Sequence, residues 1–341
     1  MRRKQKSKAG AAVELRADPF GERLARSHLR RYGKPGGRLL IDTNSAALAE
    51  LADIAFSGLP ASCLPADQPP MRISLRLSDC ASLGRVSAPP APQFNTAAGL
   101  VTAVIDACNH AVVIPALRLA RVVLSSDMLQ FPYNARYELI EFALYTLATH
   151  AAGLLPVHAA CVAKNNDGVL LVGDSGAGKS TLSLHCLEQG MRLLSDDTVF
   201  IDTKRMFAGA LTNFVHMRPE AVPGIESTSI RQLIAGCSTI RRRSGQLKHE
   251  LDLRTLGFGL ATSQVPVTTI VFLQPGKRNR IPMARLSSPR SIMSLLEHTQ
   301  TFGRTCAQWP AFARQAATLR CMSLVRSGTP SSLARLIQSL I

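Results

Sequence analysis

Nine consecutive residues constrain this chain more than anything else in it. Gly173-Asp174-Ser175-Gly176-Ala177-Gly178-Lys179-Ser180-Thr181 satisfies G-x-x-x-x-G-K-[ST], between an apolar strand at Val169–Val172 and a helix at Lys179–Glu188 that Gly190 stops. Glycines at these positions let successive backbone N–H groups turn inward into an anion-binding nest, and the helix that follows presents the positive end of its dipole to the same point. Residues 173–181 are therefore expected to hold the phosphates of ATP, with Lys179 reaching the β- and γ-phosphates and Ser180 on a magnesium ion. A strand at Arg192–Leu194 completes a β-α-β unit, expected on a mostly parallel sheet.

The next strand ends in Ser195-Asp196-Asp197, which places two carboxylates at the carboxyl end of a strand beside the loop, the edge where such sheets bind ligands. Phosphoryl transfer needs one carboxylate to help hold magnesium and another to accept the proton of the attacking hydroxyl. Two adjacent negative charges raise each other's pKa, which suits the base. Upstream, His158 opens an apolar strand, His158–Ala163. Alone it reads as a core histidine, but its place just before the loop strand makes it a candidate for the site.

The rest of the chain divides around these blocks. Residues 1–37 carry 11 basic against 3 acidic side chains and end in Gly33-Lys34-Pro35-Gly36-Gly37, so they are expected to form a poorly ordered basic arm. Residues 38–130 read as a small α/β region. Strands are expected at Arg38–Asp42, Arg72–Leu77, Val101–Ile105, Ala111–Ile114 and Arg121–Leu124, a helix at Ala46–Phe56, and a proline-rich loop at Val86–Gln93. Pro132–Thr149 has the broad apolar face of a buried helix and marks the boundary of an ATP-binding domain over 131–341. Within it, strands are expected at Thr198–Asp202 and Thr268–Leu273, and helices at Arg290–Thr299, Trp309–Ala317 and Ser331–Leu340.

Composition removes several classes. No apolar run reaches the roughly 20 residues of a membrane span, and the basic Met1–Lys8 leads into charged sequence, so secretion and membrane spanning are not expected. Eight cysteines without C-x-x-C pairs read as reduced thiols of a cytoplasmic protein. The net charge of +17 favours acidic partners, yet no nucleic-acid-binding motif accompanies it, so nucleic acid is not the expected partner.

Taken together, Leu155-Pro156-Val157-His158-Ala159-Ala160, the strand and loop Gly168–Ser180, and Gly190–Asp197 resemble the catalytic core of the HPr serine kinase family, most closely over residues 131–202 and more weakly to 273. The resemblance implies an α/β fold with a P-loop kinase core of the HPr kinase and phosphoenolpyruvate carboxykinase type, and a smaller N-terminal α/β region. It implies Asp196 as the base that deprotonates an acceptor serine, Asp197 supporting it or the metal, and His158 near phosphate and base. Lys179 and Ser180 keep the roles given above. In the bifunctional kinase/phosphorylases a signature of the form E-x-R-G-L-G-I follows. Here only Leu251-Asp252-Leu253-Arg254-Thr255-Leu256-Gly257-Phe258-Gly259 echoes it, which argues against phosphorylase activity and for a stand-alone relative.

The expected function is thus an ATP- and magnesium-dependent serine kinase acting on a protein or peptide, an HPr-like protein or a small ribosomally made peptide, in a chain that can form homo-oligomers. Two basic segments, Arg241-Arg242-Arg243 on a loop and His216-Met217-Arg218 after a strand, offer an arginine to the transferred phosphoryl group. The rival readings are a small-molecule hydroxyl kinase and an ATPase switch. The switch would want a carboxylate at the end of a remote apolar strand, and Thr268–Leu273 ends in Gln274.

Overall fold

The computed structural model describes residues 28–34, 37–58, 69–210, 214–256, 259–276, 282–300 and 303–341. Among these, three sheets form. The first takes seven strands: β1 (His28–Lys34), β2 (Gly37–Thr43), β3 (Met71–Ser78), β4 (Gln93–Ala97), β5 (Leu100–Asp106), β6 (Asn109–Ile114) and β7 (Leu119–Ser125), in the order β1-β2-β3-β7-β6-β5-β4. Helix α1 (Ala46–Phe56) follows β2, capped by the Ser45 hydroxyl, which accepts from the Leu48 N–H. It buries Leu48, Leu51, Ala52 and Phe56 against the sheet.

Here the expectation for the basic arm needs correcting. From His28 onward the chain is a strand paired antiparallel with β2, because Leu29, Arg31 and Gly33 alternate with partly covered Arg30 and Tyr32, both bonded to Asp53 of α1. Residues 1–27 of that arm lie outside the described residues. The loop expected at Val86–Gln93 gives way to β4 at its last residue.

A helical run over 132–151 (α2) joins this sheet to the rest, and two of its stretches, Ala135–Glu141 and Leu147–Ala151, are wound with wider i→i+5 turns. Its apolar residues, Leu139, Ile140, Ala143, Leu144 and Leu147, belong to one continuous core that reaches from the first sheet to the second.

The second sheet contains β8 (Leu155–Val157), β9 (Ala159–Lys164), β10 (Asp167–Val172), β11 (Arg192–Ser195), β12 (Val199–Asp202) and β13 (Phe207–Gly209). A third, three-stranded sheet pairs β14 (Phe214–Met217), β15 (Ser238–Arg241) and β16 (Leu247–Asp252). The second sheet is completed by β17 (Val265–Gln274), β18 (Met283–Arg285) and β19 (Arg320–Val325). Between β10 and β11 lies α3 (Lys179–Glu188), before β15 lies α4 (Thr228–Ala235), and the C-terminal part adds α5 (Pro289–Thr299), α6 (Trp309–Ala316) and α7 (Pro330–Gln338).

The expected mostly parallel sheet is not what forms. Only β10 with β17 and β17 with β19 pair in parallel; β9 is inserted antiparallel between β10 and β11, and the remaining neighbours are antiparallel. Alternation along β10 shows why the sheet needs cover on both sides. Leu170 and Val172 enter the core shared with α2, α5 and α6, whereas Val169 and Leu171 pack with α3 and α7. The reading of eight reduced thiols is also corrected, since Cys80 and Cys108 are joined as a disulfide. Cys161, Cys186 and Cys321 are buried thiols, and Cys63 lies outside the described residues.

Candidate functional site

The parallel core of the second sheet sends the ends of β10, β17 and β19 to one edge, and the glycine loop leaves β10 there. Gly176 and Gly178 take φ of +84° and +93°, a left-handed backbone that side chains resist, and Gly178 stands at the N-terminus of α3. The loop borders a cleft of about 520 Å³ that His158, Lys179, Ser180, Asp196 and Asp197 also line. A larger depression of about 730 Å³, between β17, β19 and α5, holds none of these groups.

Lys179 Nζ donates to the carbonyls of Gly173 at 2.6 Å and Asp174 at 3.1 Å, and lies 3.0 Å from His158 Nε2. An ammonium has only donors, so Nε2 is the acceptor and the proton of His158 sits on Nδ1. Nδ1 donates to the Asp197 carbonyl at 3.0 Å and lies 3.3 Å from the Asp197 carboxylate. Burial, then the charge of Lys179, lowers the pKa of His158. Gln300, itself buried, grips the backbone of His158 twice, accepting from its N–H at 2.6 Å and donating to its carbonyl at 3.0 Å.

The two aspartates lie in different surroundings. Asp196 is 4% exposed; its Oδ2 accepts from Ser180 Oγ at 2.8 Å and its Oδ1 is buried without a partner. Burial, then the neighbouring Asp197, pushes the Asp196 carboxyl up to about 7. Asp197 sits at φ +73°, and its side chain is 44% exposed. Burial raises its pKa, but His158 and Arg242 outweigh that and hold it below the ordinary carboxylate value.

A line of buried charges runs from α2 to this pair. Arg136 bridges Glu141 at 2.6 Å and Glu250 at 2.5 Å; Glu250 accepts from His216 Nε2 at 2.9 Å; His216 Nδ1 accepts from Arg242 at 3.0 Å; and Arg242 lies 3.7 Å from Asp197. The wide turn over Ala135–Glu141 is what brings Arg136, Glu138 and Glu141 inward together. Burial raises the pKa of Glu141 in spite of Arg136, whereas His216 and Arg136 overcome burial at Glu250 and lower it.

The structure therefore gathers His158, Lys179, Ser180, Asp196 and Asp197 with the cleft-lining loop residues Ser175, Gly176, Gly178 and Thr181. Asp174 turns its carboxylate away, toward His298 of α5 at 3.7 Å. The basic segment 241–243 forms one side of a hairpin turn. Arg243 is fixed on Glu138 and on the carbonyls of Pro89 and Pro90, Arg241 bonds the Gly245 carbonyl, and only Arg242 approaches the acid pair. Asp252, the acidic residue of the weak signature echo, is ion-paired with Arg254 at 2.5 Å and does not line the cleft.

Several contributors escaped the sequence reading, Glu220 and Gln246 of the cleft and the charges of Arg136, Glu141 and Glu250 among them. Lys248 and Arg326 line the cleft, and Gln300 holds His158. For Arg326 a signal existed: the alternating segment Arg320–Val325 is a strand, and Arg326 follows its carboxyl end. Nothing local marks Lys248 or Gln300.

The residues also suit a magnesium–nucleotide pair. The left-handed Gly176 and Gly178 put no side chain between their backbone and the cleft, and the Ser180 hydroxyl lies against a carboxylate with an unpartnered oxygen. Magnesium commonly takes one or two protein ligands and fills its shell with phosphate and water, so the lack of a three-residue cluster of His, Cys, Asp or Glu among the described residues is no obstacle.

Residues 150–244 match the family model described as HPr Serine kinase C-terminal domain, which bears out the resemblance over that segment. Among solved structures, the Hpr(Ser) kinase/phosphatase from Coxiella burnetii is similar at 14% identity, covering 54% of this chain and 95% of that one with a TM-score of 0.27, too low a likeness to argue from. No curated protein matches the chain.

Proposed function

We propose that this chain, carrying an HPr serine kinase C-terminal domain match over residues 150–244, is a serine kinase that transfers the γ-phosphate of ATP to a protein or peptide hydroxyl. The observation that carries the reading is the meeting of Lys179, Ser180 and two electrostatically unlike aspartates in one cleft beside the glycine loop. A buried carboxyl held near neutrality can serve attacking water as well as an acceptor hydroxyl, so what favours a kinase over a hydrolase here is the family match over residues 150–244. In a kinase the acceptor hydroxyl must lose its proton as it attacks.

In this mechanism the backbone N–H groups of 173–178 and Lys179 receive the phosphates, and the N-terminus of α3 adds its dipole. Magnesium, when bound, would neutralise phosphate charge, held by Ser180 and a carboxylate of the Asp196–Asp197 pair. Asp196, through the unpartnered Oδ1, takes the proton of the acceptor hydroxyl. His158 keeps Lys179 in place and meets Asp197 with its other nitrogen, so the ammonium and the acid pair hold a fixed separation. The acceptor this reading favours is an HPr-like protein or a small ribosomal peptide, in keeping with the family match.

The test is transfer of labelled γ-phosphate to HPr and to small peptides, comparing the native chain with Asp196→Asn and Lys179→Ala. Label on serine that both substitutions abolish supports the reading. ATP hydrolysis without label transfer, unchanged by Asp196→Asn, would overturn it.

A further inference from the structure

Three arginines beside the cleft are held by acidic partners: Arg136 by Glu141 and Glu250, Arg242 by Asp197, Arg243 by Glu138; of the cations that line it, Lys179 bonds the Gly173 and Asp174 carbonyls. Two guanidinium groups that line it differ. Among the described residues no ion pair involves Arg218 or Arg326, yet both face the glycine loop.

Arg218 follows β14. Its Nη2 lies 2.5 Å from the place a Cβ on Gly176 would occupy, so the missing side chain of Gly176 is what admits it. Arg326 follows β19, more than a hundred residues later. Its Nη1 donates to the Gly176 carbonyl at 3.4 Å, and its Cζ and Nε lie 3.8 Å from a Cβ position on Gly178. The root of Arg326 is held: its N–H bonds the Gln274 carbonyl at 3.3 Å, and its own carbonyl passes so close to Gly276 that any Cβ there would collide.

Two guanidinium forks beside a backbone nest for anions, with no ion-pair partner among the described residues, have one obvious complement. Arginine matches phosphate oxygens in a planar, two-pronged way that lysine cannot reproduce. We propose that Arg218 and Arg326 form a clamp that binds the phosphate tail of the nucleotide above Gly176–Gly178, a role that rests on the nucleotide reading above. Arg326 lies outside the family-matched segment, so this part of the phosphate site is supplied by the C-terminal strand of the sheet. Lys179 acts from within the loop, and the two arginines act from its open side.

Equilibrium binding to the full chain tests the clamp with two probes, ATP and inorganic tripolyphosphate, each with magnesium. The variants are Arg218→Ala, Arg326→Ala and Arg326→Gln, with Lys179→Ala as reference and thermal midpoints without ligand as the folding check. Each arginine variant is expected to weaken both probes in parallel by roughly tenfold or more, at an unchanged midpoint. Affinities for both probes within twofold of the native chain would overturn the clamp, as would a loss confined to ATP, which would place Arg326 on the nucleoside. Should Arg326→Ala fail to fold, Arg326→Gln, which keeps the stem and a donor, decides by the same criteria. Failure of the underlying reading looks different: the native chain would bind neither probe, or Lys179→Ala would bind both as the native chain does.

Discussion

Asp196→Asn should make the ligand-free protein more stable above neutral pH while abolishing transfer. The carboxyl's pKa is raised from 3.8 to about 7 by burial and by Asp197, a difference of roughly 3 units. At 1.36 kcal/mol per unit that is about 4 kcal/mol between folded and unfolded states. The folded chain holds this proton at pH values where the unfolded chain has lost it, so stability present below about pH 4 is lost as the pH rises toward 7 and changes no further above it. Asparagine keeps an oxygen for the Ser180 hydroxyl and never ionises, so it removes that loss. Urea unfolding of both proteins at pH 5, 6, 7 and 8, without nucleotide or metal, should show a gap in favour of the variant that widens by about 1.4 kcal/mol per unit and levels near pH 7.5. A gap that does not change with pH would refute the reasoning, because the native carboxyl would then be as easily ionised in the fold as outside it.

Other outcomes follow from neighbouring contacts. Transfer should fall as the pH drops and Asp196 becomes protonated, at a pH below the metal-free value of about 7 because a bound dication favours the carboxylate; a rate that shows no fall down to about pH 4 in a chain still folded there would exclude this carboxyl as the base. Arg136→Leu leaves Glu141 and Glu250 buried without their counter-charge and should cost about 3–5 kcal/mol in urea titration; a loss below 1 kcal/mol would show the pair to be dispensable. His158→Gln should lower the transfer rate by roughly 10²-fold with ATP affinity within a few-fold, since it disturbs the spacing of Lys179 from the acid pair and not the loop itself. Equal losses in affinity and rate would place His158 in nucleotide binding instead.

The parts legible in the sequence are those specified locally. The helices at Ala46–Phe56 and Lys179–Glu188 fall at their expected bounds, because a serine cap marks one and the glycine loop and Gly190 mark the other. The strands β2, β3, β5, β6, β7 and β10 announce themselves by apolar alternation or runs. What stayed hidden is pairing. Nothing in β9 states that it will lie between β10 and β11, since strand neighbours are chosen by the fit of whole faces. Basic composition masked β1, whose alternation is weak and whose partly covered face depends on Asp53, 23 residues beyond Arg30 and 21 beyond Tyr32. In the site, the loop, the acid pair and His158 were readable as a spaced motif, but the unlike surroundings of Asp196 and Asp197 were not. They arise from the burial of Asp196 on one side and, on the other, from His158 and from Arg242, 45 residues downstream of Asp197.

The core that passes through α2 without a break carries a consequence for how such a chain can be divided or recombined. A segment recognisable by its motif, 150–244, is a unit of descent, but it is not a unit of folding. Cut at residue 131, the C-terminal piece would expose the side of α2 that rests on Val113 and Val122 of the first sheet, and it would free Arg243 from its grip on the Pro89 and Pro90 carbonyls. An exchange of N-terminal regions between relatives would succeed only if α2 travelled with the sheet it covers and the hairpin bearing Arg243 were matched to it. Substitutions in the first sheet would thereby bear on the hairpin whose Arg242 lies 3.7 Å from Asp197, tying the two halves together as one piece.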